Sequence, residues 1–386
     1  MAKEHRTPRL GIVFDYNSNW MGGTYYILNL LHAIAELPSV EQPRVIIYGE
    51  NEAGFNTVKN EVKLKDVSYK KITNVFNNKL IVGVNFISRS IAGFNLFNKG
   101  PRNKNEVIFP NASGAFFKNV PNRIYWIPDF QEKYYPVFFS AEDLAFREAF
   151  NIQMIAQKFP VVFSSEDVKK DFKKFYPASP NPIYTLPFAV SIQDYSTINF
   201  QNIQEQYELN HPYFITPNQF WIHKNHKVII EATAILRDKG IKFKVLFSGK
   251  DYDPRCPEYT DQLKEQICHY GLEETVIFLG FLERKLLLQL IKNSVAVVQP
   301  SLFEGWSTVV EDAKALNKPV IASSLAVHKE QMGEKGHYFD PNNATALADA
   351  MIEQLKSGVT YCDWNYIERK KEFARGFVSM LHEVVQ

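Results

Sequence analysis

Short apolar runs of strand length alternate with stretches of helical periodicity along the whole chain, and the alternation restarts after a proline-rich break. In the first half, Leu10–Phe14, Arg44–Tyr48, Glu106–Phe109, Arg123–Trp126 and Val161–Phe163 read as strands. Helical spacing falls at Thr24–Leu37, about Phe76–Phe97, Ala141–Gln157 and Glu166–Phe175. After Tyr176-Pro-Ala-Ser-Pro-Asn-Pro182 the pattern resumes with strands at Tyr213–Thr216, Phe243–Phe247, Val276–Leu279, Val295–Gln299 and Pro319–Ala322. Helices are expected at Asn225–Lys239 and Glu258–Tyr270, with a last one from Trp364 to Val385. Short apolar strands separated by helices imply a parallel sheet covered on both faces. Two doubly wound, Rossmann-like α/β domains are therefore expected, meeting in a cleft where such sheets bind ligands. The junction falls between about 187 and 211. We draw the domains at 1–190, 191–364 and a terminal helix, 365–386.

Composition narrows the class. A chain of 386 residues exceeds what one core usually supports, and 45% hydrophobic with 22% charged residues excludes a disordered chain. The formal charge of +2 creates no global field for nucleic acid. Cys256, Cys268 and Cys362 form no C-x-x-C pair, so neither a disulfide framework nor a zinc site is expected. No apolar stretch approaches a membrane span or a signal-peptide core, which makes a cytoplasmic protein the expectation. Charge is nonetheless uneven. Residues 56–104 hold ten Lys/Arg against Glu61 and Asp66, a local +8 that leaves the remainder at −6. Within it, Phe76, Leu80, Ile81, Val84, Ile87, Ile91 and Phe94 recur at helical spacing. Such a basic amphipathic helix suits the anionic inner face of a plasma membrane, and it equally suits an ordinary domain helix with solvated lysines.

The densest chemistry lies in Gln299-Pro-Ser-Leu-Phe-Glu-Gly-Trp-Ser-Thr-Val-Val-Glu311. A strand ends at Gln299, a loop carries Glu304 and Gly305, and a helix starts near Thr308. A helix N-terminus favours a phosphate, and carboxylates grip sugar or ribose hydroxyls. Glu304 and Glu311 are expected to face one mouth. Thr308-x-x-Glu311 also reads as a capping box, which would explain Glu311 without a ligand. Ser164 and Asp167 in Phe163-Ser-Ser-Glu-Asp-Val168 read as a helix cap. His223 and His226 flank Lys224 with no third ligand nearby, so no metal is expected there.

Three stretches resemble the donor-site segment of retaining glycosyltransferases of family 4: Phe303–Glu311, Ala315-Leu-Asn-Lys-Pro-Val-Ile-Ala-Ser323 and Val327-His-Lys-Glu-Gln331. The family comprises nucleotide-sugar enzymes with the two-domain GT-B fold, in which the terminal helix crosses back onto the amino domain. Its pattern has seven residues between two glutamates, whereas six separate Glu304 from Glu311. Gly305 follows the first glutamate as a donor-binding candidate, and the difference bears on the contacts of Trp306, Ser307 and Thr308. Ile215–His226 is similar to the family's Arg and Lys stretch, with Lys224 matching the lysine and Gln219 standing at the arginine. Trp20-Met-Gly-Gly-Thr-Tyr-Tyr26 resembles its glycine turn, placing Gly22 and Gly23 against a phosphate. Ile127–Pro136 resembles the segment reaching the donor sugar, which makes Asp129 a candidate for sugar or acceptor. Val276–Leu282 resembles the stretch that meets the base, bringing in Phe281 and Leu282.

The resemblance implies metal-independent, retaining transfer of a hexose from a nucleoside-diphosphate sugar to a glycan or lipid-linked saccharide, of the O-antigen mannosyltransferase kind. The catalytic set would be Glu304, Lys224 and Asp129, and no resident cofactor or metal is implied. A catalytically silent subunit that binds nucleotide sugars or glycans, and an epimerase on the same fold, are the rival readings.

Overall fold

The computed structural model describes residues 8–14, 21–72, 103–111, 117, 120–192, 194–196 and 198–385. The expected helix at 76–97 and most of the basic segment lie outside them.

Every strand pairing in the described residues is parallel. The first sheet has the order β3-β2-β1-β4-β5, from β1 (Arg9–Val13), β2 (Arg44–Gly49), β3 (Val67–Lys71), β4 (Glu106–Phe109) and β5 (Asn122–Arg123). At Ile124 the chain changes neighbours: its N–H bonds Ile108 O, while the N–H of Tyr125 bonds Pro160 O. The sheet is thereby handed on to β6 (Tyr125–Ile127), β7 (Val161–Phe163) and β8 (Ile183–Thr185). The interior strands β4 and β7 are buried along their whole length, as parallel strands between helical layers must be. On this side lie α1 (Met21–Ala35), α2 (Ala53–Glu61), α3 (Gln131–Tyr134), α4 (Ala141–Gln157) and α5 (Glu166–Phe175). Gly22 and Gly23 belong to the first turn of α1 rather than to a loop before it. Ser140 and Ser165 cap α4 and α5 by accepting from Asp143 N and Val168 N. The expected Ser164 cap is thus moved one residue, and Ser164 Oγ instead accepts from Trp126 Nε1 at 3.1 Å.

After α6 (Phe200–Gln206) comes a six-stranded sheet with order β11-β10-β9-β12-β13-β14. Its strands are β9 (Tyr213–Thr216), β10 (Lys244–Ser248), β11 (Val276–Gly280), β12 (Ala296–Gln299), β13 (Val320–Ser323) and β14 (His337–Phe339). Around it pack α7 (His226–Asp238), α8 (Tyr259–His269), α9 (Arg284–Asn293), α10 (Thr308–Ala315), α11 (Ala326–Met332) and α12 (Ala344–Ser357). The order reverses direction at β9, so the carboxyl ends of β9 and β12 open a crevice.

The terminal helix α13 (Tyr366–Val385) crosses back and packs on α1 and β4. Phe377 meets Phe109 edge-on at 5.0 Å, and Lys370 Nζ bonds Glu36 Oε1 at 2.6 Å. One apolar cluster runs from Leu30 and Ile34 of α1 through Phe188 and Val190 to Val310 and Phe377. This cluster couples the two sheets, while separate clusters around Phe247 and around Phe163 fill the layers belonging to one side only.

Candidate active site

The cleft between the sheets has a volume of about 310 Å³. From the amino side it is lined by Gly22, Tyr25, Trp126, Pro128, Asp129 and Gln131, and from the other side by loops at the ends of β9, β10, β11 and β12. Gly305 sets how closely the two halves approach. A Cβ on it would stand 2.0 Å from Pro128 O and 2.9 Å from Asp129 Cβ, so only glycine fits. Other contacts hold the same closure: Trp306 Nε1 to Phe188 O at 3.1 Å, Arg255 Nη1 to Gln131 Oε1 at 3.3 Å, and Tyr134 against Phe303.

Glu304 lies at the centre. Its Oε1 accepts from Lys224 Nζ at 2.6 Å, Gln299 Nε2 at 2.7 Å and Ser301 Oγ at 2.7 Å. Among the described residues, no hydrogen bond falls on Oε2. Burial pushes the carboxyl up, but Lys224, His328 and the hydrogen bonds together hold it below its usual range, so Glu304 stays ionised. Asp129 is the opposite case. Burial raises it, the N–H of Gln131 draws it back only in part, and the charge of Glu304 adds to the rise. Neighbouring carboxyls pushed apart in this way can take different protonation states. His223 also lines the cleft, and burial, Lys224 and Arg255 keep its imidazole neutral.

Of the residues singled out from sequence, Gly22, Asp129, Gln219, Lys224, Phe281, Leu282, Glu304, Gly305, Trp306, Ser307 and Thr308 line the cleft. Phe281 is exposed, as a stacking platform needs to be. Ser307 caps α10 by accepting from Val310 N at 3.3 Å, and the expected capping box of Thr308 with Glu311 does not form. Gly23 is buried in α1 and does not reach the cleft.

Glu311 does not face the mouth either. Its carboxylate is fully buried and accepts from Lys314 Nζ at 2.9 Å, Gln331 Nε2 at 2.8 Å and Tyr366 OH at 2.7 Å. The acid that turns into the cleft is Asp312, with seven residues between it and Glu304. That separation equals the one in the resembled pattern, with an aspartate in the second place. The physical cause is rotation, since successive helix positions differ by about 100°. Asp312 is gripped by Arg284, whose Nη1 reaches Oδ2 at 2.5 Å while Nη2 bonds Oδ1. Burial works against the charge on Arg284, but Asp312 more than compensates and holds the guanidinium protonated.

Sequence reasoning missed Arg284 and Asp312. Counting seven residues from Glu304 would have found Asp312; nothing local marks Arg284. It also missed Gly249, where a Cβ would stand 2.2 Å from Asn218 O. Among the described residues, no three His, Cys, Asp or Glu side chains gather so as to hold a metal ion.

Residues 199–371 match the family described as Glycosyl transferases group 1. The O-antigen chain mannosyltransferase RfbU of Salmonella typhimurium is 26% identical over 251 residues, covering 64% of this chain and 65% of that protein. The curated relatives are matched over 27% to 65% of their own lengths. In fold, a glycosyltransferase from Rickettsia africae ESF-5 superposes with a TM-score of 0.67 at 16% identity, covering 99% of both chains. Anabaena HepE in complex with UDP and glucose gives 0.62 at 16% identity, covering 98% of this chain and 96% of that one. At such identities the likeness is one of fold.

Proposed function

We propose that this chain, which belongs to the group 1 glycosyltransferases and carries the GT-B fold, transfers a hexose from a nucleoside-diphosphate sugar to a saccharide hydroxyl with retention of configuration. The observation that carries the reading is the Lys224–Glu304 pair at the centre of the closed cleft. Two named neighbours support a nucleotide-sugar donor and a glycan acceptor: HepE, which was solved with UDP and glucose, and RfbU, which is an O-antigen mannosyltransferase.

The roles follow from the chemistry of each group. Glu304, held ionised and anchored through Oε1, offers Oε2 to hydroxyls of the donor sugar. Asp312 takes the place expected for Glu311 and accepts from ribose hydroxyls. As the bond from the anomeric carbon to the diphosphate breaks, negative charge grows on the leaving oxygen, and the Lys224 ammonium stabilises it. The acceptor hydroxyl attacks on the same face and gives its proton to that leaving phosphate oxygen, so no side-chain base is required. Asp129, protonated more readily than an ordinary carboxyl, can donate to a sugar oxygen. The first turns of α1 and α10 aim N–H groups at the phosphates. Because this chemistry is supplied by side chains, transfer proceeds without a metal.

We place the protein in the cytoplasm, working on a lipid-linked saccharide at the membrane face. No helix among the described residues is long and apolar enough to cross a membrane.

The test is a donor screen with UDP-, GDP-, ADP- and dTDP-sugars, lipid extract and EDTA. Release of one nucleoside diphosphate with a matching hexose gain on the acceptor is expected. Glu304→Gln should lower turnover by about a hundredfold or more while the fold survives. Near-normal turnover in folded Glu304→Gln, or no binding of any donor by the unsubstituted protein, overturns the reading.

A further inference from the structure

The cleft is short of positive charge for the ligand assigned to it. Among the described lining residues the cations are Lys224 and Arg284, set against Asp129, Glu304 and Asp312. Lys224 is already paired with Glu304 at 2.6 Å. Gln219 lines the cleft as a neutral amide. A sugar-linked diphosphate brings a negative charge on each phosphate into this enclosed space, where uncompensated charge is expensive.

Arg284 has both the position and the spare donors to answer that charge. It opens α9, and its guanidinium lies 5.4 Å from the ring centre of Tyr25, three residues after Gly22 in the first turns of α1. On its other side it holds Asp312, the fifth residue of α10. It therefore stands between the first turns of two helices, whose dipoles favour an anion. The bidentate pair with Asp312 occupies two of the five guanidinium N–H donors. Three remain, and the planar fork that grips a carboxylate along one edge can offer another edge to a phosphate. A guanidinium pinned in this way loses little rotamer freedom when it binds.

Resting on the donor reading above, we propose that Arg284 is the second cation of the donor site. It stays anchored on Asp312 and gives its remaining N–H groups to a phosphate oxygen of the nucleoside diphosphate. The charge absent at Gln219 is thereby supplied from the start of α9, on the same side of the cleft. Asp312 then has two tasks, since each carboxylate oxygen that holds Arg284 keeps a lone pair for the nucleoside.

The experiment is calorimetric titration of the full chain with UDP and GDP, and with the matching monophosphates and nucleosides, at two salt concentrations. Arg284→Gln should weaken the diphosphate by about ten- to a hundredfold, as loss of a charge-assisted hydrogen bond implies. The nucleoside should change by less than about twofold, and the salt dependence of diphosphate binding should flatten. Arg284→Lys should fall between, keeping the charge without the fork. An equal loss for nucleoside and diphosphate would make Arg284 only a support for Asp312 and would overturn the inference. So would an unchanged diphosphate affinity. Should Arg284→Gln fail to fold because Asp312 is left unpaired, the double variant Arg284→Gln/Asp312→Asn removes both charges. Undiminished diphosphate binding by that variant is equally fatal. Failure of the unsubstituted chain to bind any nucleotide would overturn the donor reading and this inference with it, and is recognised because it needs no substitution.

Discussion

Glu311 offers a sharp separation between a residue that holds the structure and one that touches the ligand. Its carboxylate receives three hydrogen bonds, from α10, α11 and α13, at 2.9, 2.8 and 2.7 Å. Lys314, its ionic partner, is only 3% exposed, and burial already lowers the ammonium pKa against the upward pull of Glu311. Glu311→Ala would leave that ammonium with Gln331 O as its remaining hydrogen-bond partner and take the acceptor from the Tyr366 O–H, whose oxygen keeps only the N–H of Val190. Breaking a buried ion pair on one side costs about 3–5 kcal/mol. For a cooperative unit of domain size that is a fall in Tm of about 6–20 °C. Glu311→Gln keeps the shape and one acceptor, so about 1–3 kcal/mol is expected. Thermal melts measure the first effect. Calorimetric titration of folded Glu311→Gln with UDP or GDP measures the second, and affinity should stay within about threefold because Asp312 is untouched. A Glu311→Gln protein as stable as the parent but at least about tenfold weaker for the nucleotide would refute the reasoning, for the carboxylate would then be a ligand contact.

Other outcomes follow from the same geometry. Asp129 has a folded-state pKa raised by burial, so its contribution to stability is fully present below the ordinary carboxylate value of about 3.9 and is lost as pH rises through the folded value. Asp129→Asn should therefore match the parent Tm near pH 4 and exceed it increasingly towards pH 8, while transfer falls; a Tm advantage that shrinks with pH would contradict this. Gly305→Ala should keep the secondary structure but force the halves apart, seen as a larger radius of gyration by small-angle scattering and at least about tenfold lower turnover. An unchanged radius with full activity would show that Pro128 and Gly305 need not touch.

The sequence by itself determined the layered architecture and the residues on the loops bordering a cleft, while the strand order that opens the crevice was set by tertiary pairing. Glu304 was legible because it stands on the loop leaving a strand, where chain direction delivers it to the cleft, whereas Lys224 and Gln219 were legible only through the family resemblance. Two of the three-residue strands were not legible. Ile183–Thr185 follows a proline cluster and His337–Phe339 follows a glycine, and each becomes a strand by pairing with a neighbour distant in sequence. The second acid was misplaced by a single position. A helix turns each successive side chain by about 100°, and whether Glu311 or Asp312 points inward depends on the axis of α10 as packed against α9 and α13. Tertiary structure also decided which cations the carboxylates met. Arg284 reaches Asp312 across 28 residues of chain, and Lys224 reaches Glu304 across 80. Electrostatic pairing in a buried site depends on distance in space, and only the closed fold sets that distance.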